Sequence, residues 1–458
     1  MIQKLKDLST VKESQMDKLF KLSERKTTVR TEVLAGITTF LTMAYIIVVN
    51  PQILSKAGMS FAGVLFATIL VCALSSILMG LYANLPYGLA PGMSINAFFT
   101  FTLVLGMNIP WETALGAVFV SGIVFIILSI TNVRTIIVKA VPASLRYAVA
   151  AGIGLFLTLI GLTSIRFIVA DETTTISFGG LSTNIVLFVA GLLITSVLLV
   201  KRVRGALILG IVGTSLLALI LSLVGKAAGL LDVPIVSMPE GVFALPSLKV
   251  FFKLDIGAAF TIGMLGPIFT LLFTDLFDSI STFLGVAQAG GLLDKEGQPL
   301  NVGQAMLVDA LSTTFSGLFG TSSGTTYIES AAGIEEGGRT GLTAVVTGLL
   351  FLPFMFFSPL LAFIPAVATA PVLVLIGVFM AKPLTLLDWK NYEEAVPAFV
   401  AAVLIPLTYS ITQGIVWGFL VYTLIKILVG KAREVHWMLY IIDAFAILSL
   451  VLPLIQKR

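Results

Sequence analysis

Four carboxylates stand where hydrocarbon is expected. Asp275 and Asp278 fall in Phe273-Thr274-Asp275-Leu276-Phe277-Asp278-Ser279-Ile280-Ser281-Thr282, within a long apolar run. Three residues apart on a helix, they share one face. Thr274, Ser281 and Thr282 extend that face, while Leu276, Phe277, Ile280 and Phe283 cover the rest. Each carboxylate costs roughly 2.5–3.5 kcal/mol at the centre of a bilayer. They must therefore meet water, a cation or hydrogen-bond donors. Like charges this close disfavour joint ionisation, which suits proton coupling. The alternative is a pair of buried acids bonded to serines and threonines. Asp309, beside Ser312, Thr313 and Thr314, either locks a helix by hydrogen bonds or joins the coupling.

Glu329 is the fourth. It lies in Gly320-Thr-Ser-Ser-Gly-Thr-Thr-Tyr-Ile-Glu-Ser-Ala-Ala-Gly-Ile-Glu-Glu-Gly-Gly-Arg339, between apolar segments 306–319 and 342–357. Non-helical polar backbone at membrane depth is tolerated only where protein buries it or it lines a cavity. We expect a strand-like lead-in over 325–328 and a half-helix starting near Glu329. A broken helix of this kind points to a transporter's binding site; a polar loop outside the membrane is the other reading. Tyr327 would stack on a planar ligand or simply pack. Glu335, Glu336 and Arg339 are expected to cap the half-helix through a local salt bridge.

The elements that must position these groups are membrane spans. Of 458 residues, 57% are hydrophobic and only 11% charged, against about 25% charged in soluble domains. One polytopic membrane unit is expected, with no soluble domain and no basic patch for nucleic acid. One histidine, His436, cannot build a histidine-rich metal site, and the single cysteine, Cys72, cannot form an intrachain disulfide. No cofactor or metal is expected.

Residues 1–31 read as a cytoplasmic leader rich in both charges, with no cleavable signal. Spans are predicted at 33–50, 61–81, 88–105, 112–130, 144–162, 184–200 and 205–223. After a connection over 225–255, further spans are predicted at 256–289, 302–319, 325–334, 342–357, 368–381, 396–409 and 414–429. Span 8 is expected to bend at Gly266–Pro267. The first repeat thus occupies 32–224 and the second 256–430. Residues 431–458 read as an interfacial helix and tail, with a further span over 436–455 as the alternative. Basic residues follow the even spans: Arg134, Lys139 and Arg146; Lys201, Arg202 and Arg204; Lys382 and Lys390; Lys431 and Arg433. The opposite side is sparser, so the positive-inside rule places the N-terminus in the cytoplasm.

A repeat is visible. Val141-Pro142-Ala143 precedes span 5 and Ile364-Pro365-Ala366 precedes span 12. At the same offset Ile153 meets Ile376, Gly154 meets Gly377 and Phe156 meets Phe379. Seven is odd, so the second copy enters from the opposite side and the repeats are inverted. Inverted repeats set a substrate site at their interface near the midplane. Span 10 must then have a counterpart in span 3, and span 3 is interrupted too: Pro86-Tyr87-Gly88-Leu89-Ala90-Pro91-Gly92-Met93-Ser94-Ile95-Asn96. Half-helices starting near Asn96 and Glu329 would aim positive dipole ends at one point. Asn96 can read the edge of a heterocycle or cap its helix.

No zincin histidine pair, Walker loop or GxSxG turn is present. A membrane-embedded aspartyl hydrolase is disfavoured because Asp275 and Asp278 share one helix. An anion carrier would be expected to put a cation where these acids stand.

Several stretches resemble one family. They are Gly36-Ile37-Thr38-Thr39-Phe40-Leu41-Thr42-Met43-Ala44-Tyr45-Ile46, Ala90-Pro91-Gly92-Met93, Thr326-Tyr327-Ile328-Glu329-Ser330-Ala331-Ala332-Gly333-Ile334 and Glu336-Gly337-Gly338-Arg339-Thr340-Gly341. They are similar to the AzgA-like purine permeases, nucleobase–cation symporters with the uracil-permease type of fold. The resemblance runs from about residue 29 to the end of span 14. It implies an all-α polytopic membrane protein of fourteen spans in two inverted sevens, a core against a gate, with short strands in broken spans 3 and 10. It further implies proton-coupled import of adenine, guanine or hypoxanthine across the plasma membrane; a uracil or xanthine carrier of the same fold is the alternative. By position, Asp275 and Glu329 would hold the base and Asp278 would support substrate or proton. Asn96 would line the pocket, and 90–94 and 325–328 would be the crossed strands. The substrate site would thus comprise Gly92, Ser94, Asn96, Asp275, Thr325, Tyr327, Ile328 and Glu329. The proton site would comprise Asp275, Asp278, Asp309 and Glu329. Ser94 departs from an expected glycine, and its side chain would narrow the pocket. The expected partners are a purine base and lipid, with a homodimer as one assembly state.

Overall fold

The structure is a computed structural model that describes residues 15–131, 140–227, 236, 241–293 and 299–456. Arg134 and Lys139, two of the basic residues that fix orientation, and much of the 225–255 connection lie outside the described residues.

Nine of the described helical stretches are long and apolar enough to cross a membrane. They are spans 1, 2, 4, 5, 6, 7, 8, 12 and 14. The other five crossings fall short for readable reasons. Spans 3 and 10 are broken, span 9 is rich in hydroxyls, span 11 is short, and span 13 has only 16 residues (Tyr392–Leu407). Serine, threonine and asparagine start many of the helices. Thr28, Ser60, Ser182, Thr340, Asn391 and Ser410 each accept a first-turn backbone N–H, satisfying a donor that the helix cannot.

The spans pack in two groups. Spans 1, 2 and 11 lie together, as do 4, 8 and 9; spans 5, 12, 13 and 6, 7, 12 form the other group. This is the expected core and gate. The gate carries the repeat on its surface of contact. Helices Ala143–Ser164 and Ala366–Ala381 both start immediately after a proline in extended conformation, and they pack on each other. A Cβ on Gly377 would stand 2.6 Å from the Gly154 carbonyl oxygen, so the two backbones meet where the repeat equates them.

The core carries the two broken spans. β1 (Leu89–Pro91) pairs antiparallel with β4 (Gly324–Thr326) in the register Leu89↔Thr326, Ala90↔Thr325 and Pro91↔Gly324. Both strands are shorter than the expected 90–94 and 325–328. Gly92 is the last extended residue before helix Met93–Ala97, so Ser94 is helical. On the other side the chain turns after Tyr327 into helix Ser330–Glu335.

One expectation about the spans is corrected, and two further features appear. Span 8 does not bend at Gly266–Pro267. Its helix, Leu265–Gly290, starts there, after the short pieces Ile256–Ala259 and Ile262–Met264. Pro267 sits in the first turn, where its missing N–H costs no helical bond. A hairpin, β2 (Ile168–Asp171) and β3 (Thr175–Phe178), follows span 5. Its turn is held by Asp171, whose Oδ1 accepts the Thr173 and Thr174 amides at 2.9 Å. These bonds hold the Asp171 carboxyl below the usual aspartate range. Finally, helix Trp437–Gln456 packs against span 14 and touches Ile262–Met264 at the start of span 8. Thr423 of span 14 donates to its Asp443.

Candidate functional site

Where the strands meet, the backbone is fully paired. Gly92 N–H donates to the Ser323 carbonyl at 2.8 Å, and Tyr327 N–H to the Gly88 carbonyl at 3.0 Å. Ser330 Oγ accepts the Gly88 N–H at 2.9 Å. Gly92 is required here by space: a Cβ would come within 2.9 Å of Thr325 Cγ2.

A cleft opens beside this junction. On its core side lie Tyr45, Ser94, Asp278, Thr325, Tyr327 and Glu329, with Gly92 and Ile328. On its gate side lie Ile376, Phe379 and Met380 of span 12. Two carboxylates thus face an apolar wall. Glu329 and Asp278 are half-buried, and Ile328 is 54% exposed.

The expected residues separate into two layers. Gly92, Ser94, Thr325, Tyr327, Ile328, Asp278 and Glu329 line the cleft. Asp275, Asp309 and Asn96 do not. Asp275 is 1% exposed and accepts from Thr313 Oγ1, which also reaches the Gly324 carbonyl at 3.2 Å. Asp309 is fully buried and accepts Thr326 Oγ1 at 2.8 Å. Ser279 and Thr325 hydroxyls meet at 3.1 Å. These contacts rivet β4 to spans 8 and 9 from behind. Asn96 is fully buried, takes a hydrogen bond from Ser322, and turns its Nδ2 towards Met93 Sδ at 3.6 Å. It neither caps its helix, which starts three residues earlier, nor lines the cleft. Tyr327 donates to the Pro91 carbonyl at 2.5 Å, so its hydroxyl serves β1. Ser94 Oγ has no protein partner.

Glu335, Glu336 and Arg339 do not pair locally. Arg339 caps the half-helix through the Ile334 and Gly338 carbonyls, at 2.6 and 2.7 Å. Glu336 instead pairs with Arg204 of the gate. Sequence reasoning also missed Tyr45, Asn50 and Glu32. Tyr45 donates to Glu329 Oε1 at 2.8 Å. Asn50 bridges Thr68 and Thr321, at 2.6 and 2.8 Å. Glu32 accepts the Arg339 and Thr340 amides at 2.8 and 3.2 Å and the Thr343 hydroxyl at 2.6 Å. All three lie on span 1, whose polar positions were the available signal.

Comparison with known proteins now bears on this geometry. The permease-family profile matches residues 30–417, from the start of span 1 into span 14. The adenine permease AdeP of Escherichia coli is 42% identical over 95% of this chain and 96% of its own. This chain belongs to the permease family. The guanine/hypoxanthine permease PbuO of Bacillus subtilis is 40% identical over 91% of this chain and 96% of its own. Among solved structures, the transmembrane domain of a cyanobacterium bicarbonate transporter, BicA, superposes with a TM-score of 0.61 at 17% identity, covering 83% of this chain and 96% of that one. That likeness is one of fold. The resemblance read from the motifs is thereby borne out, and membership of the permease family makes the chain a multi-pass membrane transporter. The hydrolase reading falls with it. The paired aspartates belong to different layers, one behind a strand and one in the cleft.

Proposed function

We propose that this permease imports purine bases, coupled to protons. The observation that carries the reading is the cleft itself: two carboxylates, Glu329 and Asp278, opposite Ile376, Phe379 and Met380. Purine bases are flat, with an apolar face and N–H groups along the edge. Carboxylates accept those N–H groups, and the gate wall packs the ring. The names of AdeP and PbuO agree with this substrate class. Among the described residues no lysine, arginine or histidine lines the cleft, which speaks against an anion as cargo.

Coupling would run through the same acids. Glu329 takes a proton in one state and accepts substrate hydrogen bonds in another, with Asp278 beside it and Asp275 and Asp309 behind. No cofactor is needed beyond the proton.

Access would alternate by rigid movement of core against gate. Three contacts seal the boundary at the ends where spans 1 and 3 finish and span 8 begins. Gln52 bridges the Ile364 carbonyl and Thr369 at 2.6 and 2.7 Å. Thr102 donates to the Tyr409 carbonyl, and Thr270 meets Thr412, both at 2.9 Å. The opposite end is bridged by the exposed Arg204–Glu336 pair. With the N-terminus cytoplasmic in the plasma membrane, the first three contacts would lie on the outer side and the Arg204–Glu336 pair on the inner side.

Cells expressing the protein should accumulate labelled adenine, guanine or hypoxanthine, and a protonophore should abolish accumulation. Accumulation that follows sodium instead removes the proton. Absence of uptake for every purine in a competition panel removes the substrate class.

A further inference from the structure

Tyr45 occupies the one place where span 1 stops being a regular helix. Helix Val29–Met43 ends just before it and Ile46–Ser55 begins just after. The Tyr45 carbonyl accepts both the Val48 and Val49 amides, at 3.1 and 3.0 Å. This tight turn carries the side chain, 1% exposed, towards the head of the half-helix in span 10. There the phenol donates to Glu329 Oε1 at 2.8 Å. Thr42, one turn earlier, gives its hydroxyl proton to the Thr39 carbonyl of its own helix at 2.8 Å. Span 1 therefore holds Glu329 through the Tyr45 phenol.

Among the described residues, the Tyr45 phenol is the side-chain donor that meets the Glu329 carboxylate. Tyr327 is near, its ring 6.4 Å from that of Tyr45, but its hydroxyl is committed to the Pro91 carbonyl. Span 8 presents Asp278, a second acid. Met93 and Ser94 of span 3 and Ile376, Phe379 and Met380 of span 12 bring no charge. Glu329 thus shares the cleft with a second acid, an apolar wall, the Tyr45 phenol and the hydroxyls of Ser94 and Thr282.

We propose that Tyr45 is the positioning residue of Glu329: it holds Oε1 and sets the pH at which Glu329 takes up its proton. The phenol is both donor and acceptor. It donates to the carboxylate and, once Glu329 is protonated, can accept from the acid without any side chain moving. One proton arrives at Glu329 and no other bond changes. The proposal rests on reading Glu329 as the coupling carboxylate.

The test is infrared titration of the protonated-carboxyl band in purified protein, with the Glu329 component assigned by its loss in Glu329→Gln. Tyr45→Phe keeps the ring and removes the hydrogen bond. Its Glu329 midpoint should move to higher pH by about one unit, the size of a lost charge-assisted bond. The alkaline limb of purine uptake should move with it. Tyr87→Phe removes a buried hydroxyl that has no partner and should leave the midpoint in place. Should Tyr45→Phe fail to fold, 3,5-difluorotyrosine at position 45 keeps the shape and makes a stronger donor, and the midpoint should move to lower pH. An unchanged midpoint in a folded Tyr45→Phe or difluorotyrosine protein overturns the proposal. A wild-type protein that takes up no purine, yet shows the midpoint shift, removes the transport reading and leaves the Tyr45–Glu329 link standing.

Discussion

Arg204 and Glu336 join the two moving parts of this protein. Arg204 lies between spans 6 and 7 of the gate, and Glu336 follows the half-helix of span 10 in the core, with their side chains 54% and 32% exposed. The same half-helix begins at Glu329. A charge contact with the gate at one end is thus seven residues from the ligand carboxylate at the other.

Exposed ion pairs are worth about 0.2–1 kcal/mol, so this one biases the resting state rather than locking it. Arg204→Gln and Glu336→Gln should each shift the balance of core positions by up to about fivefold. In a Cys72→Ser background, a Ser94→Cys probe would report it as a changed labelling rate. The double variant should match either single variant if the pair acts as a unit. Additive effects would mean that the two residues act separately.

Removing the cleft acids should weaken binding. Glu329→Gln loses one charge-assisted hydrogen bond, about 1.5–3 kcal/mol, or roughly 10- to 150-fold in Kd. Asp278→Asn should fall in the same range. Asp275→Asn, behind β4, should change Kd by less than about threefold and lower Tm instead. Asn96→Ala should also act on Tm, since it strands the Ser322 hydroxyl at about 1–3 kcal/mol. Equal losses of binding in Asp275→Asn and Asp278→Asn, measured by calorimetry, would overturn the division into two layers.

Orientation is open to a direct check. Lys201→Cys in the Cys72→Ser background should react with an impermeant maleimide only from the cytoplasmic side. Ala170→Cys, in the hairpin after span 5, should react only from outside. The reverse pattern would invert the sides given to the core–gate contacts.

The architecture was legible because symmetry writes itself twice. The Pro-Ala starts at Pro142 and Pro365 and the Gly154–Gly377 match identified spans 5 and 12 as copies, and one interrupted span pointed to the other. The division of labour between Asp275 and Asp278 was not legible. Residues three apart on a helix differ by about 60° in direction, which counts as one face at the scale of a helix but not at the scale of a strand. Asp275 falls behind β4 and Asp278 beyond its edge. Tyr45 was hidden for another reason. The turn at Ala44–Tyr45 contains no glycine or proline, and the nearest punctuation, Pro51, lies inside the following helix.

The pairing of β1 with β4 also constrains how the chain can be made. Leu89, Ala90 and Pro91 are synthesised more than 230 residues before their partners Thr326, Thr325 and Gly324. Until span 10 arrives, the extended backbone of span 3 has no strand to pair with, and lipid offers none. The N-terminal half must therefore wait, shielded by the translocation machinery or held near the bilayer surface, and the last large barrier in assembly is the closing of this long loop. Separately expressed halves should each be degraded quickly when alone and should rescue one another when made together, because each supplies the strand that the other lacks.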